Sequence, residues 1–132
     1  DQVAIFFLAG HETSASALAW TVWLLAANPD WQERAAAEAM GFDGTFSGIG
    51  RLRVCRDVFR EALRLYPPVP MMVREAACPQ EFRGRAVAKG AQVVVSPWHL
   101  HRHERIWADP DAFEPGRWST EEGRACARDA YL

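Results

Sequence analysis

The chain has 132 residues, 49% hydrophobic and 24% charged, which allows one soluble globular domain at most. Its formal net charge of −2, from 15 Lys and Arg against 17 Asp and Glu, excludes the basic excess by which proteins grip nucleic acid. Cys55, Cys78 and Cys126 are widely spaced and odd in number, so they form neither a CxxC metal pattern nor a disulfide framework, and a reducing compartment is expected.

Residues 3 to 27 are almost all apolar or small and predict a long helix buried around most of its circumference. The run has the length of a membrane span. However, His11-Glu12-Thr13-Ser14 falls in its middle, where a charge is costly, so a span is disfavoured. Asn28-Pro29-Asp30 ends this helix and starts a second, with Pro29 suited to the first helical position and Asp30 with Glu33 forming a capping-box pattern. That helix runs to Met40 and stops at Gly41. Residues 41 to 50, with four glycines, read as a loop. A third helix covers 51 to 66 with Cys55, Val58, Phe59, Ala62 and Tyr66 as its apolar stripe, and Pro67-Pro68 terminates it.

MMVREA, from residue 71, predicts a short strand, and residues 81 to 98 predict two or three more around Gly84 and Lys89-Gly90. AQVVVSPWHLHRH reads as a strand ending in a turn. Residues 104 to 118 read as loop anchored by Trp107, Phe113 and Trp118. The polar tail from Ser119 reads as irregular or a single helical turn. The fold class is therefore mainly α with a small β region. Residue 1 falls inside an apolar helical run and the last residues carry no closing signal, so residues 1–132 are expected to be a partial domain cut at both ends.

Three stretches carry unusual chemistry. AGHETSASALAW, residues 9 to 20, puts a glycine, a histidine, a carboxylate and a threonine into one turn of an apolar helix. Gly10 costs roughly 1 kcal/mol there relative to alanine. Glu12 is a charge in a segment that reads as buried, and Thr13 can turn its hydroxyl onto the carbonyl of Ala9 and bend the helix. A glycine, a hydroxyl and an acid in an apolar wall fit either a short proton path in a dry pocket or a helix bent for packing with Glu12 in a salt bridge. Glu61 and Arg64, at i and i+3, share one helix face. Arg117, in FEPGRW, supplies a second guanidinium that could close a Glu-Arg-Arg cluster tying distant segments together.

In this order, the three stretches resemble the cytochrome P-450 monooxygenases, the haem-thiolate family. Ala9-Gly10-His11-Glu12-Thr13 is similar to the family's (Ala/Gly)-Gly-x-(Asp/Glu)-Thr pattern. Glu61 and Arg64 are similar to its Glu-x-x-Arg helix, and Phe113 to Trp118 to its Phe-x-Pro-x-Arg-(Phe/Trp) segment. The resemblance covers the entire chain and implies a partial cytochrome P-450 fold. It implies a long helix crossing the distal face of haem b, distorted at Ala9 to Thr13 into a groove for O2. Thr13 would hydrogen-bond the bound oxygen or a water beside it, and Glu12 would relay protons from solvent. It also implies a substrate pocket for an apolar small molecule, lined by Ile5, Leu8, Ala9, Pro70, Met71, Met72 and Val73, with Arg74 reaching a haem propionate. Electrons would come from NAD(P)H indirectly, through a reductase or a ferredoxin, and a soluble, bacterial-type parent would be cytoplasmic.

One departure is an absence. The family's iron ligand lies in a Phe-x-x-Gly-x-Arg-x-Cys-x-Gly loop, and this chain has none; Cys126 in GRACA lacks the upstream Phe and the following Gly. The axial Cys is expected beyond Leu132, and these 132 residues alone are expected to bind haem poorly and hydroxylate nothing. Two other classes compete. His99, His101 and His103 alternate, and on a strand they would share one face, where they could bind zinc for a hydrolase with Glu12 or Glu104 as base. The chain could also come from a haem-free relative used as a binding module.

Overall fold

The computed structural model describes residues 1–132, the side chain of Asp129 excepted. Among the described residues, five α-helices and four short strands follow in the order α1 (Gln2–Ala27), α2 (Pro29–Met40), α3 (Arg53–Leu65), β1 (Met72–Glu75), β2 (Gln80–Phe82), β3 (Arg85–Val87), β4 (Gln92–Val95), α4 (Pro97–Leu100) and α5 (Glu121–Ala130), with 3-10 helices at Phe46–Arg51 and Pro115–Ser119. The fold is mainly helical with a small strand region.

α1 ends because Asn28 precedes a proline, which pushes it out of the helical region to φ −132° and ψ 78°. Asn28 then satisfies the helix end with its own side chain, Nδ2 donating to Leu24 O at 2.8 Å. The expected capping box does not form: the residue before α2 is Asn28 and makes no side-chain cap bond, while Asp30 lies inside the first turn. The expected loop at 41 to 50 is also partly ordered. Thr45 accepts from Gly48 N and opens a 3-10 helix, Phe46–Arg51. Glu38 of α2 caps α3 from outside, accepting from Val54 N at 3.0 Å and Cys55 N at 2.9 Å, two of the donors that a helix start leaves unpaired. Burial alone would raise the Glu38 carboxyl pKa, but these backbone donors outweigh it and hold the group below its ordinary value.

β1 and β4 pair antiparallel with Met72 opposite Val95 and Arg74 opposite Val93. Between them β2 and β3 form a hairpin whose two-residue turn, Arg83-Gly84, has φ of 50° and 75°. Positive φ at both turn positions matches the right-handed twist of the strands, and glycine fills only the second.

Two small cores hold the molecule. Leu24, Ala62 and Leu65 join α1 to α3, flanked by Tyr66 and Phe113. Trp107, Trp118 and Ala130 seat α5, with Tyr131 and Cys126 packed against them. α1 is not buried around its circumference: among the described residues only Ala17 and Leu24 are buried on it, and Phe6 is 78% exposed, because little of the described chain lies over its first half. The tail is not irregular: Thr120 caps it through Gly123 N, and Glu121 and Glu122 favour the first turn of a ten-residue helix. Of the apolar stripe expected on α3, Val58 and Ala62 are buried, whereas Phe59 is 38% exposed. Among the described residues, no helix is long and apolar enough to cross a membrane.

Candidate functional site

α3 presents Glu61 and Arg64 to the interior one turn apart, both with 0% exposure. Arg64 grips the carboxylate with two donors, Nε to Oε2 at 3.0 Å and Nη2 to Oε1 at 2.9 Å. Oε1 also accepts from Arg117 Nε at 2.8 Å and Glu114 N at 3.1 Å, and Oε2 from Trp118 Nε1 at 3.0 Å. The remaining donors of Arg64 reach the main-chain carbonyls of His101 (2.7 Å), Pro110 (2.6 Å) and Ala112 (3.0 Å). Thus all five N–H groups of a buried guanidinium are satisfied, the condition under which a buried charge is tolerated. Arg117 is tied in turn to Ala108 O at 2.8 Å. The structure brings Glu61, Arg64 and Arg117 together, with Trp118 and the carbonyl oxygens of His101, Ala108, Pro110 and Ala112 as further members. The tryptophan was visible in the sequence only as an anchor, and the carbonyls had no sequence signal.

The stretch at Ala9 to Thr13 is different. Thr13 Oγ1 does donate to Ala9 O at 2.7 Å, but α1 runs through as continuous α-helix, with no break to open a groove. Glu12 is exposed and not held as a buried charge, again because its side of α1 has no cover. A Cβ added at Gly10 would meet nothing within 4 Å, so no neighbour in these residues requires the glycine.

Thr13 borders an open cavity of about 300 Å³ lined also by Leu63, Pro67, Pro68, Val69, Met72, Pro97, Tyr131 and Leu132. Apart from the Thr13 and Tyr131 hydroxyls, its lining side chains are all apolar. Of the residues expected to line a substrate pocket, only Met72 does so here. Met71 and Val73 point away, 57% and 53% exposed, as alternation along an extended chain requires. Ile5 and Leu8 lie farther back on α1, 64% and 58% exposed, and Ala9 and Pro70 are exposed as well. Arg74 shares the Met72 face of β1 and is held locally, Nη1 donating to Val73 O at 3.0 Å. A larger cavity of about 540 Å³ opens beside Arg117 and Cys126, away from Thr13.

The histidine array does not exist. Ser96 and Pro97 start the helical turn α4, which separates the three side chains. His99 bonds Ser96 Oγ at 2.8 Å, His101 is 1% exposed, and His103 accepts from Arg105 N at 3.2 Å. Among the described residues no three His, Cys, Asp or Glu side chains gather to hold a metal ion.

The apolar side chains that line the Thr13 cavity would suit contact with an apolar group. None of the three thiols lines that cavity. Cys126 donates to Ile106 O at 2.8 Å, Cys78 is exposed, and Cys55 lies against Ala35 O at 3.7 Å. Burial, then the neighbouring Glu38, pushes the Cys55 thiol up, away from the thiolate an iron ligand must be.

Comparison with known proteins accords with this geometry. The sequence profile of the cytochrome P-450 family matches residues 1–132. The chain is 38% identical over 136 residues to the cyclooctat-9-en-7-ol 5-monooxygenase of Streptomyces melanosporofaciens, a match covering 100% of this chain and 30% of that protein. It is 36% identical to cytochrome P-450 4A10 of Mus musculus, covering 93% and 25% of the two chains. The crystal structure of a cytochrome P-450 variant haem domain superimposes with a TM-score of 0.88 at 34% identity, covering 98% of this chain and 30% of that one. The chain therefore spans about a third or less of the length of these relatives.

Proposed function

The chain belongs to the cytochrome P-450 family, and we propose that it is the dioxygen-handling part of a haem-thiolate monooxygenase that hydroxylates an apolar organic substrate. The observation that carries this reading is a juxtaposition: a helix threonine opens onto an apolar cavity that α3, the helix carrying Glu61 and Arg64 of the buried cluster, lines through Leu63. Haem b would supply the iron at which O2 takes up electrons, delivered from NAD(P)H through a reductase or a ferredoxin, one oxygen atom entering the substrate and the other leaving as water.

The residues present suit one side of that cofactor. Pro67, Pro68, Val69 and Met72 offer it and the substrate an apolar surface that excludes water. Ile5, Leu8 and Ala9 on α1, with Pro70, would border the same space once the rest of the parent covers it, whereas Met71 and Val73 face the other way. Arg74, on the Met72 face of β1, is the cation available to a propionate. The axial thiolate would come from outside these residues, so the 132 residues alone are inactive.

The proton path runs through α1. Glu12 meets solvent and collects protons. Thr13 donates its own hydroxyl proton to Ala9 O, which leaves the Oγ1 lone pairs free to accept from a water. Rotation of the hydroxyl off Ala9 then passes its proton into the cavity while the water donating to Oγ1 replaces it, so that the threonine relays a proton and stays neutral. Gly10, with open space in place of a side chain, leaves room beside this path.

The test is the reduced, carbon monoxide-bound spectrum of the full-length protein. A thiolate-type Soret band is expected there and not in the 132-residue chain. A full-length protein without the band overturns the reading.

A further inference from the structure

His101 was a metal-ligand candidate in the sequence; its surroundings give it another task. Its ring is buried and touches two main-chain groups that fix its protonation. Nε2 lies 3.1 Å from Leu132 N, and Nδ1 lies 3.2 Å from Arg64 O. A backbone N–H can only donate, so Nε2 carries no proton. A backbone C=O can only accept, so Nδ1 carries one. Both contacts select the same neutral tautomer. The bond to Arg64 O also fills one of the carbonyls that the end of α3 leaves unpaired. Arg64 returns it, Nη1 donating to His101 O at 2.7 Å. The Tyr131 ring stacks on the imidazole at 5.0 Å and 23°. Tyr131 and Leu132 are also wall residues of the Thr13 cavity.

We infer that His101 is a positioning residue: as the Nδ1–H tautomer it ties the main chain of Leu132, and with it one wall of the Thr13 cavity, to the last turn of α3. An imidazolium would turn an N–H toward the Leu132 N–H and break the tie. Burial, with the positive charges of Arg64 and Arg102 adding to it and the Arg64 carbonyl opposing, holds His101 below its ordinary pKa. Tyr131, pushed up by burial, stays uncharged beside it, and Glu61, the nearest carboxylate of the cluster, is committed to Arg64 and Arg117. The tie therefore holds at neutral pH. Its bearing on the reaction rests on the proposed reading of the Thr13 cavity; the tautomer and the tie do not.

The full-length protein tests this in two ways. Ring 15N shifts of wild-type His101 are expected to show Nδ1 protonated and Nε2 bare. Amide exchange at Leu132 is then compared in wild type, His101→Gln and His101→Asn. Gln places an acceptor where Nε2 stood and should keep Leu132 protected. Asn keeps a donor to Arg64 O and releases Leu132, speeding its exchange roughly tenfold, the effect of one lost hydrogen bond. The affinity for an apolar ligand of the cavity should fall several-fold in the Asn protein and recover in the Gln protein. An Nε2–H tautomer, or equal protection of Leu132 in the Asn variant, overturns the proposal. Should the Asn variant fail to fold, the wild-type tautomer decides. A wild type that lacks the thiolate-type band yet protects Leu132 overturns the monooxygenase reading and sustains the tie.

Discussion

The Glu61 cluster and the first half of α1 are built on opposite principles. The cluster is a charged site closed on itself: a carboxylate, two guanidiniums, an indole and several carbonyls, each meeting a partner within the 132 residues. The α1 stretch is an apolar surface with almost nothing against it, and of its polar residues Glu12 faces solvent while Thr13 borders the open cavity. The difference is instructive because the polar site is the rigid one. Buried charges must be paired completely or they destabilise, so geometry is dictated there. Apolar surface has no such requirement and takes its shape from whatever covers it.

Breaking the cluster should have the largest effect. Glu61→Ala leaves two guanidiniums facing each other without their shared carboxylate, and loss of about 3–5 kcal/mol is expected. Chemical denaturation of the full-length protein reads this, together with loss of haem incorporation. Wild-type stability in that variant would mean that the cluster is dispensable. Arg64→Lys sharpens the point. It keeps the charge but replaces a five-donor fork by three donors on one nitrogen, so the grip on Glu61 and some of the carbonyl contacts to Pro110, Ala112 and His101 cannot coexist. A cost of about 2–3 kcal/mol is expected, from hydrogen bonds lost to a charged group. A neutral Lys variant would mean that charge alone holds these segments.

How much of this was legible in the sequence follows the same division. Glu61, Arg64 and Arg117 were readable because chemistry needs those side chains at those spacings. The carbonyls of Pro110 and Ala112 were not, since any residue offers a carbonyl and only the fold aims it. The strands around the Arg83-Gly84 turn were readable from period and turn residues. α5 was misread because its buried side, with Cys126, Ala127 and Ala130, is made of small residues that give a weak periodic signal, although Thr120 followed by two acids was a start signal. The alternation of His99, His101 and His103 allowed a strand with one shared face as an alternative, but Ser96-Pro97 before them begins a helical turn. That α1 needs a cover was evident from its composition; where the cover lies is not encoded locally.

Glu38 sits between the two extremes, a half-exposed carboxylate with backbone partners. Glu38→Gln should cost about 1 kcal/mol, the usual worth of a helix cap. Because the fold lowers the Glu38 pKa, the unfolded chain binds its proton more readily. The contribution is therefore fully present above the ordinary carboxylate pKa and is lost as pH falls through the lower, folded one. The Gln variant should lack this part of the acid slope. Identical acid unfolding profiles for the two proteins would remove Glu38 from the capping account.

Thr13 is expected to show the smallest structural effect and a clear functional one. Thr13→Ala removes a partly exposed hydroxyl whose only bond is to its own helix, and alanine is the better helix former, so stability should change by no more than about 0.5 kcal/mol. In the full-length protein the same change removes the atom proposed to hand a proton into the cavity. NAD(P)H consumption should then continue while product falls, and Thr13→Ser, which keeps the hydroxyl, should restore the coupling. If the Ala protein stays tightly coupled, the proton path does not run through Oγ1. If both variants are instead destabilised like Glu61→Ala, then α1 is held as tightly as the cluster, and the contrast between a closed polar site and an open apolar one fails.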